Sequence, residues 1–299
     1  MQGPILDMAT VDGNIYLIPT VTDVRVLYYR KDLFREVGLD PDSPPRTWDE
    51  LVAAAKKLND PPNRWGFGFV AGRTLHTAHL WMPNIWMGGG ELINEDKKAV
   101  YNSEAGIAAG QYYADLVHKH KVAPQEAVST MYPDLQRGII AGTYAMGVLG
   151  SWSYQSQFLP ALGEENIGWA RMPTPEGGKD SSFSGGWGFM ISSKTPYARE
   201  AWTFISHMGS RDVMLDLGLL LRNLPTRKSI MTDPRIGDTF AGEMGAYASE
   251  ASGFNPKNEK NGPFFDGMMI ALQEIVQGRD VKEALDDAAD SYNSKYYNK

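Results

Sequence analysis

The run from Asp12 to Leu58 constrains this chain more than any other stretch. In one unbroken order it reads as turn, strand, linker, strand, short helix, proline break and long helix. Asp12-Gly13-Asn14 is a tight-turn signal, and the apolar Ile15-Tyr16-Leu17-Ile18 after it is stopped by Pro19, as a buried strand would be. Val24 to Tyr29 is a second apolar run. Between them Pro19-Thr20-Val21-Thr22-Asp23 is polar, proline-restricted and too short to cross a sheet, which predicts a linker between two sheets. Pro44-Pro45-Arg46 precedes Thr47-Trp48-Asp49-Glu50, a capping box in which Thr47 is expected to cap the Glu50 amide and Glu50 to reach back to Thr47. A helix through Leu58 follows.

Length and composition narrow the possibilities further. A chain of 299 residues sits where single cores give way to two domains, so two lobes are expected. A formal net charge of −7 and no visible basic stripe disfavour a nucleic-acid partner, whose phosphates demand clustered Lys and Arg. Cysteine is absent, which removes disulfides, thiolate metal sites and a Cys nucleophile. No apolar stretch approaches the roughly 20 residues that span a bilayer, and Met1-Gln2-Gly3-Pro4 has neither the charged nor the apolar region of a signal peptide.

Further along, no internal repeat is visible. Arg64 to Val70 is expected as a glycine-punctuated strand, and Leu75 to Met87 as a helix bent or interrupted at Pro83 and ended by Gly88-Gly89-Gly90. Ser103 is expected to cap a helix to about Val117; Tyr132 to Ala141 predicts another helix and Thr143 to Leu149 a buried strand. A short helix at Trp152 to Leu159 and a strand at Ile167 to Met172 come next, then the Pro- and Gly-rich loop Pro173 to Asp180. Gly188 to Ser192 reads as strand, Pro196 to His207 as helix, and Pro263 to Val276 and Val281 to Tyr292 as two closing helices. Strands alternating with helices argue for α/β sheets with covered faces.

The run DGNIYLIPTVTDVRVLYYRKDLFREVGLDPDSPPRTWDELVAAAKKL closely resembles the extracellular sugar-binding proteins that serve ABC importers, the family 1 solute-binding proteins. The likeness recurs at WMGGGELINEDK (Trp86 to Lys97), GSWS (Gly150 to Ser153), MPTPEGGKDSSFSGGWGFMISSKT (Met172 to Thr195), NLPTRKS (Asn223 to Ser229) and GRDVKEALDDA (Gly278 to Ala288). It implies a two-lobed, type II periplasmic-binding-protein-like fold with three crossings between lobes, at Asp23, in Pro173 to Asp180 and at Asp233-Pro234. The smaller lobe would hold residues 1–22 and 173–232, the larger 24–172 and 233–299. Relatives carry a signal and two or three βα units ahead of the segment matching Asp12. The first lobe is therefore expected to be incomplete, and a shifted gene start, a trimmed chain and a natural remnant all fit.

The same resemblance implies a substrate-binding component of an ABC importer that takes a sugar or oligosaccharide in the interlobe cleft and hands it to a membrane permease. It also implies a periplasmic or extracellular location, no cofactor, no metal and no catalysis. A monomer is expected unless a partner covers the incomplete lobe. Sugars offer hydroxyls for directional hydrogen bonds and CH faces for aromatic stacking, so carboxylates and indoles should converge. By position in the family, Asp23 would hold hydroxyls and Trp152 would stack on a ring. Gly186 would bring backbone amides close, and Trp187, Asn223, Phe265, Thr77 and His79 would complete the ligand-binding set. Each has a plainer reading: Asp23 as a turn cap, Trp152, Trp187 and Phe265 as packing, Asn223 as a loop residue bonding its own backbone, and His79 as a structural histidine.

Other chemistries fit less well. His76 and His79 are three apart but have no third ligand nearby in sequence for zinc. Gly66-Phe67-Gly68-Phe69-Val70-Ala71 echoes a dinucleotide fingerprint yet lacks the following helix N-terminus. No Walker loop or Gly-x-Ser-x-Gly elbow occurs. A carbohydrate-active, glycosidase-like enzyme remains the alternative class, although Asp23 has no evident carboxylate partner in sequence. A remnant that no longer binds is the third. Glycerol phosphate, monosaccharides and oligosaccharides stay open as ligands, and a phosphate would call on Arg25, Arg73 or Arg227.

Overall fold

The computed structural model describes residues 3–221, 224–237 and 239–297. The chain divides into two compact units. The first comprises Met1–Val24, Gly150–Ser156 and Phe183–Asn255, the second Arg25–Leu149, Gln157–Ser182 and Pro256–Lys299.

The first unit is built on an antiparallel sheet in which Ile18–Thr22 lies between Gly186–Phe189 and Leu224–Pro225. Pro19 to Thr22, expected as a linker, is therefore the central strand. Proline is tolerated there because Leu224–Pro225 pairs only with Thr22 and Val21, so Pro19 has a strand on one side alone, and the ladder to Gly186–Phe189 is irregular between Pro19 and Val21. The Pro19 carbonyl is satisfied by the Thr226 hydroxyl at 2.6 Å. Ile15 to Ile18, expected as a buried strand, instead splits. Asn14–Ile15 closes an exposed hairpin with Thr10–Val11, and Asp12 and Gly13 turn it with φ of 48° and 78°, as a tight two-residue hairpin turn requires.

Helices Ala198–Met208 and Arg211–Leu221 accompany this sheet, followed by Lys228–Met231, Pro234–Gly237 and Phe240–Ala251. Residues 233–255, expected with the larger lobe, belong here, because helix Phe240–Ala251 packs against strand Leu224–Pro225. The chain thus leaves the first unit at Asn255–Pro256 and not at Asp233, and the middle crossing falls at Ser182–Phe183, just beyond the expected loop. An excursion that the three-crossing expectation lacks brings Gly150–Ser156 into the first unit.

The second unit has a three-stranded sheet with Arg25–Arg30 between Met146–Gly150 and Ile167–Ala170. Arg25–Arg30 is buried along almost its whole length, as a central apolar strand should be, and pairs antiparallel with Ile167–Ala170 from Leu27↔Ala170 to Arg30↔Ile167. Residues 64–70 add isolated bridges, antiparallel at Asp60↔Arg64 and parallel at Trp65↔Tyr144 and Gly68↔Gly147, in place of the expected regular strand. Helices Trp48–Leu58, Leu75–Met87, Glu104–His118, Tyr132–Ala141, Asn261–Val276 and Val281–Tyr296 belong to the same unit. Fully buried Tyr28, Trp81, Tyr101 and Phe264 anchor its core.

Local signals behave as their chemistry dictates, with two differences. The Thr47 hydroxyl accepts from the Glu50 amide at 3.1 Å, but the Glu50 carboxylate accepts from the Arg46 amide at 2.7 Å and not from Thr47. Thr47 is held by a parallel bridge to Thr174. Helix Leu75–Met87 runs on through Pro83 without interruption and ends at Gly88.

Candidate functional site

Three chain segments meet in the first unit and build a pocket. The strand end Thr22-Asp23-Val24 is clasped on one side by Ser151: the Ser151 amide donates to the Val24 carbonyl at 2.8 Å, and the Ser151 hydroxyl accepts from the Val24 amide at 3.3 Å. On the other side stands Gly185. Its amide donates to Asp23 Oδ1 at 3.1 Å, while its carbonyl accepts from the Thr22 hydroxyl at 3.1 Å and from the Asp23 amide at 3.4 Å. The Asp23 carboxylate is thereby held by backbone on a strand end.

The pocket these segments enclose together with Leu224 and Phe240 has a volume of about 140 Å³ and is lined by Val21, Thr22, Asp23, Ser151, Trp152, Trp187, Leu224 and Phe240. Trp152 follows Ser151, and its carbonyl accepts from the Ser156 hydroxyl at 2.7 Å in the turn that opens the next helical segment. Its indole folds back over Gly150, where a Cβ would lie 2.0 Å from the ring, so only glycine lets the ring lie there. Trp187 sits opposite Val21 in the sheet and is 79% exposed, a large apolar surface without burial in the free chain. Phe240, the first residue of its helix, is stacked on Tyr154 with centroids 4.2 Å apart and planes 16° from parallel. Asp23 is the sole ionisable residue in the lining. The arrangement offers a fixed carboxylate, two hydroxyls and three aromatic rings.

Of the residues expected to touch ligand, Asp23, Trp152 and Trp187 are brought together here. Gly186 is placed otherwise: it pairs with Thr22 at φ 151°, and a Cβ there would meet the Val21 carbonyl oxygen at 2.2 Å. Its glycine serves strand approach, and it is not among the lining residues. Asn223 lies outside the described residues.

Thr77, His79 and Phe265 belong to the second unit. The buried Thr77 hydroxyl donates to the Gly72 carbonyl at the start of helix Leu75–Met87. His79 meets Phe265 edge-on at 5.7 Å, and Phe265 is 2% exposed and edge-on to Phe264 at 5.3 Å. Sequence reasoning missed Phe240 and Leu224. Phe240 carried no local signal, since what aims its ring is a contact with Tyr154, far off in sequence.

Two other concavities differ in character. An apolar hollow of about 210 Å³ in the first unit is lined by Phe189, Met208, Met214 and Leu217 among others. A groove of about 440 Å³ runs between helices Asn261–Val276 and Val281–Tyr296, where Arg279 is held by Glu274 and Asp287. None of the expected site residues lines either. Among the described residues no cluster of His, Asp and Glu is placed to hold a metal ion, and no helix is long and apolar enough to cross a membrane.

This fold is that of a solute-binding class. The family described as bacterial extracellular solute-binding protein matches residues 2–214, and the chain belongs to that family. A curated relative, the probable amino-acid ABC transporter periplasmic-binding protein y4oP of Sinorhizobium fredii, is 24% identical over 73% of this chain and 49% of its own length. The galactooligosaccharide-binding protein of Bacillus subtilis is 24% identical over 94% of this chain and 66% of its own. Among solved structures, maltose-bound MalE3 of T. maritima superposes with a TM-score of 0.85 at 27% identity, covering 98% of this chain and 76% of that one. The fold is the mixed α/β, type II periplasmic-binding-protein fold. The chain spans about half the length of the first curated relatives it matches.

Proposed function

We propose that the chain is the substrate-binding component of an ABC importer, that it captures a sugar or oligosaccharide, and that it delivers this ligand to a membrane permease outside the cytoplasm. The observation that carries the reading is the convergence of Asp23, Trp152, Trp187 and Phe240 on one pocket. A fixed carboxylate accepts sugar hydroxyls, and flat rings cover the CH faces. The pocket is smaller than the roughly 300–1,000 Å³ of sites for drug-sized ligands, so it takes one ring end of a longer chain or a single small sugar.

Relatives with sugar-binding names support a sugar over the amino acid named for y4oP. Binding proceeds without bond making or breaking. Asp23 is the one carboxylate of the lining, whereas glycoside hydrolysis uses two, about 5–9.5 Å apart. The protein acts as a monomer unless a partner covers its exposed apolar surface. A thermal-shift panel of mono- and oligosaccharides tests the reading, with the sugar recovered afterwards by chromatography. A saturable rise in melting temperature with intact sugar is expected; no response across the panel, or shortened sugar, overturns it.

A further inference from the structure

Helix Ala198–Met208 has the sequence of a half-buried helix but not its burial. Ala201, Trp202, Phe204, Ile205 and Met208 recur at the three- and four-residue spacing that gives a helix one apolar face. Of these only Ile205 is buried, while Trp202 and Phe204 are 55% and 53% exposed. Strand Gly186–Phe189 lies beside this helix at the edge of its sheet. It pairs with Ile18–Thr22 on one side and, among the described residues, with no strand on the other. The Phe204 ring meets Phe189 edge-on with centroids 5.6 Å apart, so helix face and strand edge form one continuous surface. Trp187, two residues before Phe189 on the strand, points to the same side.

Sheet edges in free monomers are blunted by charge, proline or a bulge. No charged residue and no proline occurs from Ser181 to Ser193, and the irregularity in the ladder belongs to the inner strand, between Pro19 and Val21. Trp187, Tyr197, Trp202 and Phe204 together expose roughly 400–600 Å², given the area an aromatic side chain can bury. That is the larger part of the about 800 Å² each partner contributes to a stable interface. The strand backbone and the 68% exposed Met190 supply more. A foreign strand would pair the edge and leave the helix face bare. An identical copy brings the same edge and the same apolar face, and antiparallel pairing about a twofold axis covers both copies and closes the assembly.

We propose that the chain forms a twofold dimer in which Gly186–Phe189 pairs with the same strand of a second copy and the Trp202 and Phe204 faces cover each other. The second copy is then the partner that covers the exposed apolar surface, and the inference does not rest on the sugar reading. Sedimentation equilibrium of the full chain from low to high micromolar concentration tests it. A single associated species of twice the chain mass is expected. Trp202→Glu and Phe204→Glu are each expected to weaken association at least about tenfold. Leu75→Glu, at a 50% exposed position of the second unit, is expected to leave it unchanged.

Should the glutamate variants fail to fold, hydrogen exchange of the wild type replaces them: amides of Gly186–Phe189 are expected to exchange more slowly at high protein concentration than at low. A monomer throughout, or growth beyond the dimer, overturns the proposal. So does a dimer that ignores both substitutions or loses as much to Leu75→Glu, and so does exchange at the strand that is independent of concentration.

Discussion

The missing side chain of Gly150 decides where the Trp152 ring lies. Gly150 ends the buried strand Met146–Gly150, and the Trp152 indole occupies the space a Cβ would need. Gly150→Ala must therefore push the ring from its seat or shift the strand. The expected outcome is sugar affinity lowered about tenfold or more, with a stability cost of about 1–3 kcal/mol from overpacking. Titration calorimetry paired with urea unfolding reads both, and unchanged affinity would show that the ring position does not matter. Asp23 and Trp152, singled out in the sequence because a carboxylate at a strand end and a tryptophan after Gly-Ser sit inside recognisable motifs, line one pocket. Phe240 was not legible there, since a helix-opening phenylalanine is unremarkable until Tyr154 is found beneath it.

Elements show where local signals stop being decisive. The caps at Thr47 and Ser103 and helix Tyr132–Ala141 follow from side chains that bond within one turn, and they read directly. Pro19 to Thr22 does not, because proline stops a strand only where its missing N–H is needed, and that depends on a neighbour whose reach is unknown beforehand. The Asp233 boundary failed similarly. Asp233, expected at a crossing, begins helix Pro234–Gly237 inside the first unit: its carboxylate accepts from the Arg235 side chain at 3.0 Å, the Arg235 amide at 3.1 Å and Arg211 at 2.7 Å.

These bonds, the Arg235 side chain first, hold the Asp233 carboxyl well below the usual carboxylate range. Its stabilising contribution is thus fully present above the unfolded value of about 3.9 and is lost progressively as pH falls from there through the lowered value of the folded protein. Urea unfolding at pH 6 and pH 3 should show wild type more stable than Asp233→Asn at pH 6, with a narrower gap at pH 3. A gap that stays constant would mean the cluster does not act through this proton.

At the scale of the whole molecule, the two units differ in how well they cover themselves. Most of the exposed large apolar residues belong to the first unit, among them Trp187, Met190, Tyr197, Trp202, Phe204 and Leu220, while the second unit contributes only Leu75, Met131 and Ile270 among the described residues. The first unit carries both the pocket and most of this exposed apolar surface. Two-unit organisation was legible from length and alternating elements. The five passages of the chain were not, because the excursion Gly150–Ser156 is short and is held by tertiary bonds such as Ser151 to Val24. The central claim is that Asp23 and Trp152 form one sugar site that holds its ligand unchanged. A crystal structure of the chain with its best-binding saccharide tests it most directly. The account predicts an intact sugar ring lying on Trp152 with a hydroxyl donating to Asp23; density for the sugar in the groove between helices Asn261–Val276 and Val281–Tyr296, or for a cleaved product, would contradict it.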